Sequence, residues 1–131
     1  MMTAICEKYA APVGRVLLAL VFLYAAYGKL TGFTGTASYL QGVLVWPSLM
    51  LGLAIIIEIV GGLSLVLGYK TRWGAYALIV FTLVASVLFH NFLKDPTQII
   101  MFLKNISMIG GLMYVAAYGP GAWSIDNRKS A

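Results

Sequence analysis

Apolar residues run along this chain in four long blocks joined by short polar segments. A helix needs about 20 mostly apolar residues to cross a bilayer. Residues 13–30, 49–67, 73–89 and 99–118 each come close, and Gly, Pro, Lys or Arg punctuate their ends. The joints after the second and third blocks are short, which argues against buried helices of a soluble core. The pattern therefore predicts an all-α fold, a four-transmembrane-helix bundle in a single domain over residues 1–131. The first block carries "YAAYG" at 24–28, small residues of a cleavage-site type. Arg15 would however lie inside the hydrophobic region of such a signal, and three spans would remain after cleavage. The block is read as an uncleaved helix. Between the first two spans, "GFTGTASYLQGVLVWP" mixes aromatic and small residues. Phe33, Tyr39 and Trp46 are expected at the membrane interface, with part of the segment open to a short helix lying on the surface.

Composition strengthens this picture. Hydrophobic residues make up 61% and charged residues 10%, against about 45–50% and about 25% in soluble domains. The net charge of +5 does not signal nucleic acid, because the nine basic residues are spread along the chain without a cluster. They report orientation instead. Lys8, Arg15, Lys70, Arg72, Arg128 and Lys129 fall on one side, and Lys29, Lys94 and Lys104 on the other. That bias predicts both termini in the cytoplasm. Cys6 is the single cysteine, so no internal disulfide or Cys-x-x-Cys redox pair exists. One cysteine and one histidine at distant positions make no metal site.

The chemistry is concentrated in "LGLAIIIEIVGGLSLVLG", residues 51–68, where Glu58 interrupts an apolar run. Its helical neighbours include Ala54, Gly61 and Gly62, small residues that let helices approach closely. Glu58 is therefore expected to face the bundle. A carboxylate at mid-span costs roughly 2.5 to 3.5 kcal/mol, so it should be paired or protonated. Lys104 lies about 10 Å into the fourth span and Glu58 about 15 Å into the second at 1.5 Å per residue, close enough for a lysine to reach. Asn105 stands beside Lys104, and Ser107 and Gly111 share the face of Lys104. In the first span, Arg15, Ala19, Phe22, Ala26 and Lys29 form one stripe, with Lys29 at the outer level. His90 and Asn91 close the third span. Lys29, Glu58, His90, Lys104 and Asn105 are thus the candidate ligand-binding cluster, with Glu58 as proton carrier or ligand group. Two lysines against one carboxylate would suit an anion, or a quinone oxygen that becomes negative on reduction.

Each residue also has a plain structural reading. Lys29 can snorkel to the interface, His90 can cap a helix, and Arg15 can anchor the cytoplasmic face. A Glu58–Lys104 ion pair can fix helix register. Arg15, Gly61, Gly62, Arg72, Gly110 and Gly111 are assigned structural roles, the glycine pairs as packing sites. "GGLSLVLG" from Gly61 and "GGLMYVAAYG" from Gly110 echo each other faintly.

Three segments in order, "GRVLLALVFLYAAYGKL", "EIVGGLSLVLGYKTR" and "FLKNISMIGGLMYVAAYGPGAWSID", together resemble the DoxX family of small four-helix bacterial membrane proteins. The resemblance covers residues 13–126. It implies a multi-pass protein of the bacterial inner membrane. The family takes its name from a subunit associated with an archaeal quinol oxidase and thiosulfate:quinone oxidoreductase, and some relatives are linked to thiol and oxidative-stress systems. The implied role is a subunit or accessory of a membrane redox system, non-catalytic or quinone-interacting rather than a stand-alone enzyme. No covalently bound cofactor is expected, and quinone is the candidate ligand. The expected partners are the lipid bilayer, a membrane or cytoplasmic redox protein and a second copy of the chain, with no nucleic acid. The rival reading is a structural or assembly protein whose buried Glu–Lys pair only fixes packing. A small transporter would need a dimer.

Overall fold

In lipid, a spanning segment must satisfy its own backbone polar groups, which helices do. The computed structural model describes residues 2–91 and 93–128 and forms a helix at all four apolar blocks. The elements are α1 (Met2–Thr31), α2 (Phe33–Leu40), α3 (Pro47–Leu67), α4 (Thr71–Phe89), a 3₁₀ turn (Pro96–Gln98) that runs into α5 (Ile99–Tyr118), and a last turn α6 (Ile125–Arg128). No strand occurs among the described residues. Lys8–Thr31, Pro47–Leu67, Thr71–Phe89 and Pro96–Tyr118 are long and apolar enough to cross a membrane. Lys129, one of the basic residues counted toward orientation, lies outside the described residues.

Two elements differ from the sequence-based expectation. Helix α1 starts well before residue 13 and carries Pro12 within it. The segment 31–46 does not simply lie on the surface. Its helix α2 buries Ala37 and Leu40 against Leu51 and Ile55 of α3, with Phe33 packed alongside. The spacing of Phe33, Ala37 and Leu40 puts all three on one helical face, and α3 offers an apolar partner. Tyr39 and Trp46 stay exposed.

Neighbouring helices follow the order α1, α3, α4, α5, and α5 meets α1 only along a short stretch. Glycines set the close approaches. A side chain at Gly61 would stand 2.7 Å from Leu78 of α4, and one at Gly62 would stand 2.7 Å from Leu23 of α1. Gly111 faces Leu18 of α1 at 3.2 Å by the same measure. Gly110 does not share this role: it lies 100° further round α5, and nothing comes within 4 Å of it. Two apolar cores result. One joins Ala19, Phe22, Leu65, Ala75, Leu78, Leu112 and Ala116. The other joins Ala26, Ala37, Leu40, Leu51 and Ile55 under α2.

The end of the chain closes the opposite side of the bundle. Gly68 ends α3 with φ +67°, a left-handed conformation that glycine adopts without penalty. Asp126 then accepts from the backbone N–H groups of Lys70 (2.7 Å) and Thr71 (2.9 Å) and from the Thr71 hydroxyl (2.8 Å). It caps the start of α4 from 55 residues away. Arg15, 3% exposed, donates to the carbonyls of Leu65 (3.0 Å) and Trp123 (2.6 Å). The Trp123 ring meets Tyr9 edge-on at 6.0 Å. Arg72 lies over Gly119.

A buried ion pair on an apolar cavity

Glu58 falls in the middle of α3, eleven residues after Pro47, or about 16 Å from that end. It is 2% exposed, and small neighbours Gly61 and Gly62 bring α4 and α1 close on either side. Its partner is Lys29, whose ammonium donates to Oε1. The expected pairing with Lys104 is therefore corrected. Asn105 turns inward and donates to Ser86 Oγ at 2.9 Å. Lys104, one residue and 100° round the same helix, points outward and is exposed. Ser107 lies on that outer side too.

Lys29 is engaged inside the bundle by Glu58. Helix α2 and the first turns of α3 extend past it, and the side chain bends into the bundle. Its ammonium stands 5.4 Å from the centre of the Phe81 ring, a cation–π arrangement that a desolvated site strengthens. The side chain keeps 29% of its surface exposed, so its donors are not all used by Glu58.

The pair faces a cavity of about 480 Å³ at the α2 end of the bundle. Phe22, Leu40, Leu51, Phe81 and Phe89 supply apolar wall. Lys29, Glu58, Thr82, His90, Gln98 and Asn105 supply polar groups. An apolar pocket with a few convergent polar groups is the usual form of a small-molecule site. Four of the five predicted ligand residues (Lys29, Glu58, His90 and Asn105) share this cavity, and Lys104 does not. His90 caps α4 through its backbone and also places Nδ1 2.9 Å from Gln98 Oε1. Ser86 is fully buried and donates to the Thr82 carbonyl at 2.7 Å. Thr82 is 3% exposed, and its hydroxyl has no partner among the described residues.

Thr82, Ser86 and Gln98 escaped the sequence reading. The first two did leave a signal. They follow Gly74, Ala75 and Leu78 at helical spacing, so a small and polar stripe runs along the buried face of α4. With Lys104 outside, one lysine faces one carboxylate, and the expected surplus of positive charge disappears. The described residues include no group of three His, Cys, Asp or Glu able to hold a metal.

Four helices able to cross a membrane, packed around a buried ion pair and an apolar cavity, define a small integral membrane protein. The chain belongs to the DoxX family, which residues 10–91 match. It is 40% identical over 120 residues to the inner membrane protein YqjF of Escherichia coli K12, covering 92% of each chain. It is 32% identical over 123 residues to the inner membrane protein YphA of the same organism, covering 88% of this chain and 87% of that one. A likeness of 25% identity over 130 residues extends to a Surfeit locus protein 4 homolog of Schizosaccharomyces pombe, of which it spans 38%. No solved structure matches it. The chain is a multi-pass inner-membrane protein.

Proposed function

We propose that the cavity is a quinone site and that the chain serves a membrane redox system as a quinone-binding subunit. The observation that carries this reading is the one-to-one Lys29–Glu58 pair on the wall of a largely apolar, aromatic-sided cavity. A balanced pair favours a neutral ligand over an oxyanion, and the apolar walls favour a lipid-soluble one. A quinone is neutral, flat and lipid-soluble, and it supplies two-electron, two-proton chemistry. Its electrons are exchanged with a partner redox protein, either in the membrane or on the cytoplasmic side. Lys29 donates to one ligand oxygen and favours the charge that gathers there on reduction. Glu58 gives or takes the accompanying proton, a common use of intramembrane carboxylates. Both termini are proposed to face the cytoplasm, which puts the cavity in the outer half of the membrane.

The test is the quinone content of detergent-purified protein, extracted and quantified by mass spectrometry. The native chain is expected to carry near-stoichiometric quinone, and Glu58→Gln at most a tenth of that while still inserting. No quinone in the native protein would overturn the proposal. The structural or assembly reading would then take its place. It rests on the same pair tying α1 to α3, the most extensive helix contact in the bundle.

A further inference from the structure

The unpartnered Thr82 hydroxyl bears on what the cavity binds. Helices α3 and α4 are joined by a tight turn and run antiparallel. Leu78 covers Gly61, so Thr82, one turn beyond Leu78, stands level with Glu58, one turn before Gly61. Thr82 therefore lies at the height of the ion pair, on the helix across the cavity from α1. A buried hydroxyl without a partner is uncommon in folded proteins. A threonine in a helix usually has an easy outlet in the carbonyl one turn back. Thr82 does not use it. Ser86, one turn further on, does, donating to the Thr82 carbonyl. Ser86 also receives the Asn105 amide, so the neighbouring polar groups on α4 and α5 are satisfied by one another. Among the described residues, the Thr82 hydroxyl is the buried side-chain group on this wall without a partner.

We infer that Thr82 donates to a second acceptor oxygen of the ligand, so that the cavity holds a flat ring by two oxygens in unlike surroundings. One oxygen meets the charged Lys29 and the other a neutral hydroxyl. This rests on the quinone reading and adds to it. A single-headed lipid such as a fatty acid would need only the Lys29–Glu58 pole. A ring with two separate carbonyls uses both. The two carbonyls would then differ in polarisation even when the free molecule is symmetric.

Infrared difference spectroscopy on a symmetric probe, tetramethyl-1,4-benzoquinone with and without ¹³C at its carbonyls, tests this on purified full-length protein. The native chain is expected to split the single carbonyl band of the free probe into two shifted bands. Thr82→Val keeps the side-chain shape and removes the donor. It should return one band toward its free position, leave the other in place, and weaken probe binding about tenfold. Thr82→Ser keeps the hydroxyl and should retain both bands. An unchanged band pattern in Thr82→Val overturns the inference and leaves the quinone reading standing. A native protein that binds no probe overturns both. Loss of both bands in Thr82→Val and Thr82→Ser alike marks a packing role and also overturns the inference.

Discussion

Glu58 owes its partner to the rotation of α5, which turns Asn105 inward and Lys104 100° away from it. Its burial was legible from sequence, because an acid amid Ala54, Gly61 and Gly62 has no other direction to face. The choice between Lys29 and Lys104 was not. Depth along a span can be counted, but the direction a lysine faces depends on how its helix is rotated in the bundle. Asn105 fixes that rotation for α5 through Ser86. The pair makes a testable demand on each member. Lys29→Met leaves a buried carboxylate alone and is expected to cost about 3–5 kcal/mol, read as a lowered melting temperature in detergent. Adding Glu58→Leu to Lys29→Met should restore most of that stability, since a buried pair replaced by apolar residues is often neutral. Quinone content should stay lost in the double variant. Recovery of quinone together with stability would show that the pair does no more than hold the helices.

At the scale of elements, the joint between α3 and α4 is the most constrained part of the chain. Gly68 is left-handed, and an added side chain there would run into Arg15 and Ser124. Gly68→Ala is expected to lose at least the 1–2 kcal/mol of the backbone conformation. Gly14→Ala, with nothing within 4 Å, should be neutral or slightly stabilising, so paired melting curves of the two variants check the geometry. Asp126→Ala removes the cap of α4 and should cost about 1–2 kcal/mol; faster proteolysis of the tail would report it directly. The opposite joint offers a pH test. The hydroxyl and backbone N–H of Thr97 hold the exposed Asp95 carboxyl below the usual range. Its support for the turn before α5 is thus complete above the ordinary carboxylate range and lost only as pH falls through the lowered value. Amide exchange at Thr97 is expected to lose its protection only below the ordinary carboxylate range. None of these joints was legible in the sequence beyond the presence of a turn. Asp126 meets Thr71 across 55 residues, and no local pattern announces a cap so remote.

The four spans and the helical class were legible at the scale of the molecule, because a membrane imposes length and apolarity on each segment separately. The cavity was legible only in part. Its polar members stand out against apolar spans, whereas its walls exist only once α2 folds over α3 and the bundle closes. The structure leaves fewer loop charges to report orientation. Lys29 is taken up by Glu58 and Arg15 by backbone carbonyls, so neither acts as a loop charge. Lys8, Lys70 and Arg72 then stand at one end against Lys94 and Lys104 at or near the other. With both termini in the cytoplasm, a fluorescent protein fused after residue 131 should glow, and a periplasm-dependent phosphatase fused there should stay silent. The reverse pattern would turn the cavity toward the cytoplasm.

Arg15 lies on α1, and its carbonyl partner Trp123 lies 108 residues further along the chain. Until Trp123 is made, α1 carries a cation whose second anchor does not yet exist. Helix α1 can insert early, but it cannot finish docking before Trp123 arrives. A nascent or truncated chain ending before Trp123 thus holds Arg15 by the Leu65 carbonyl alone.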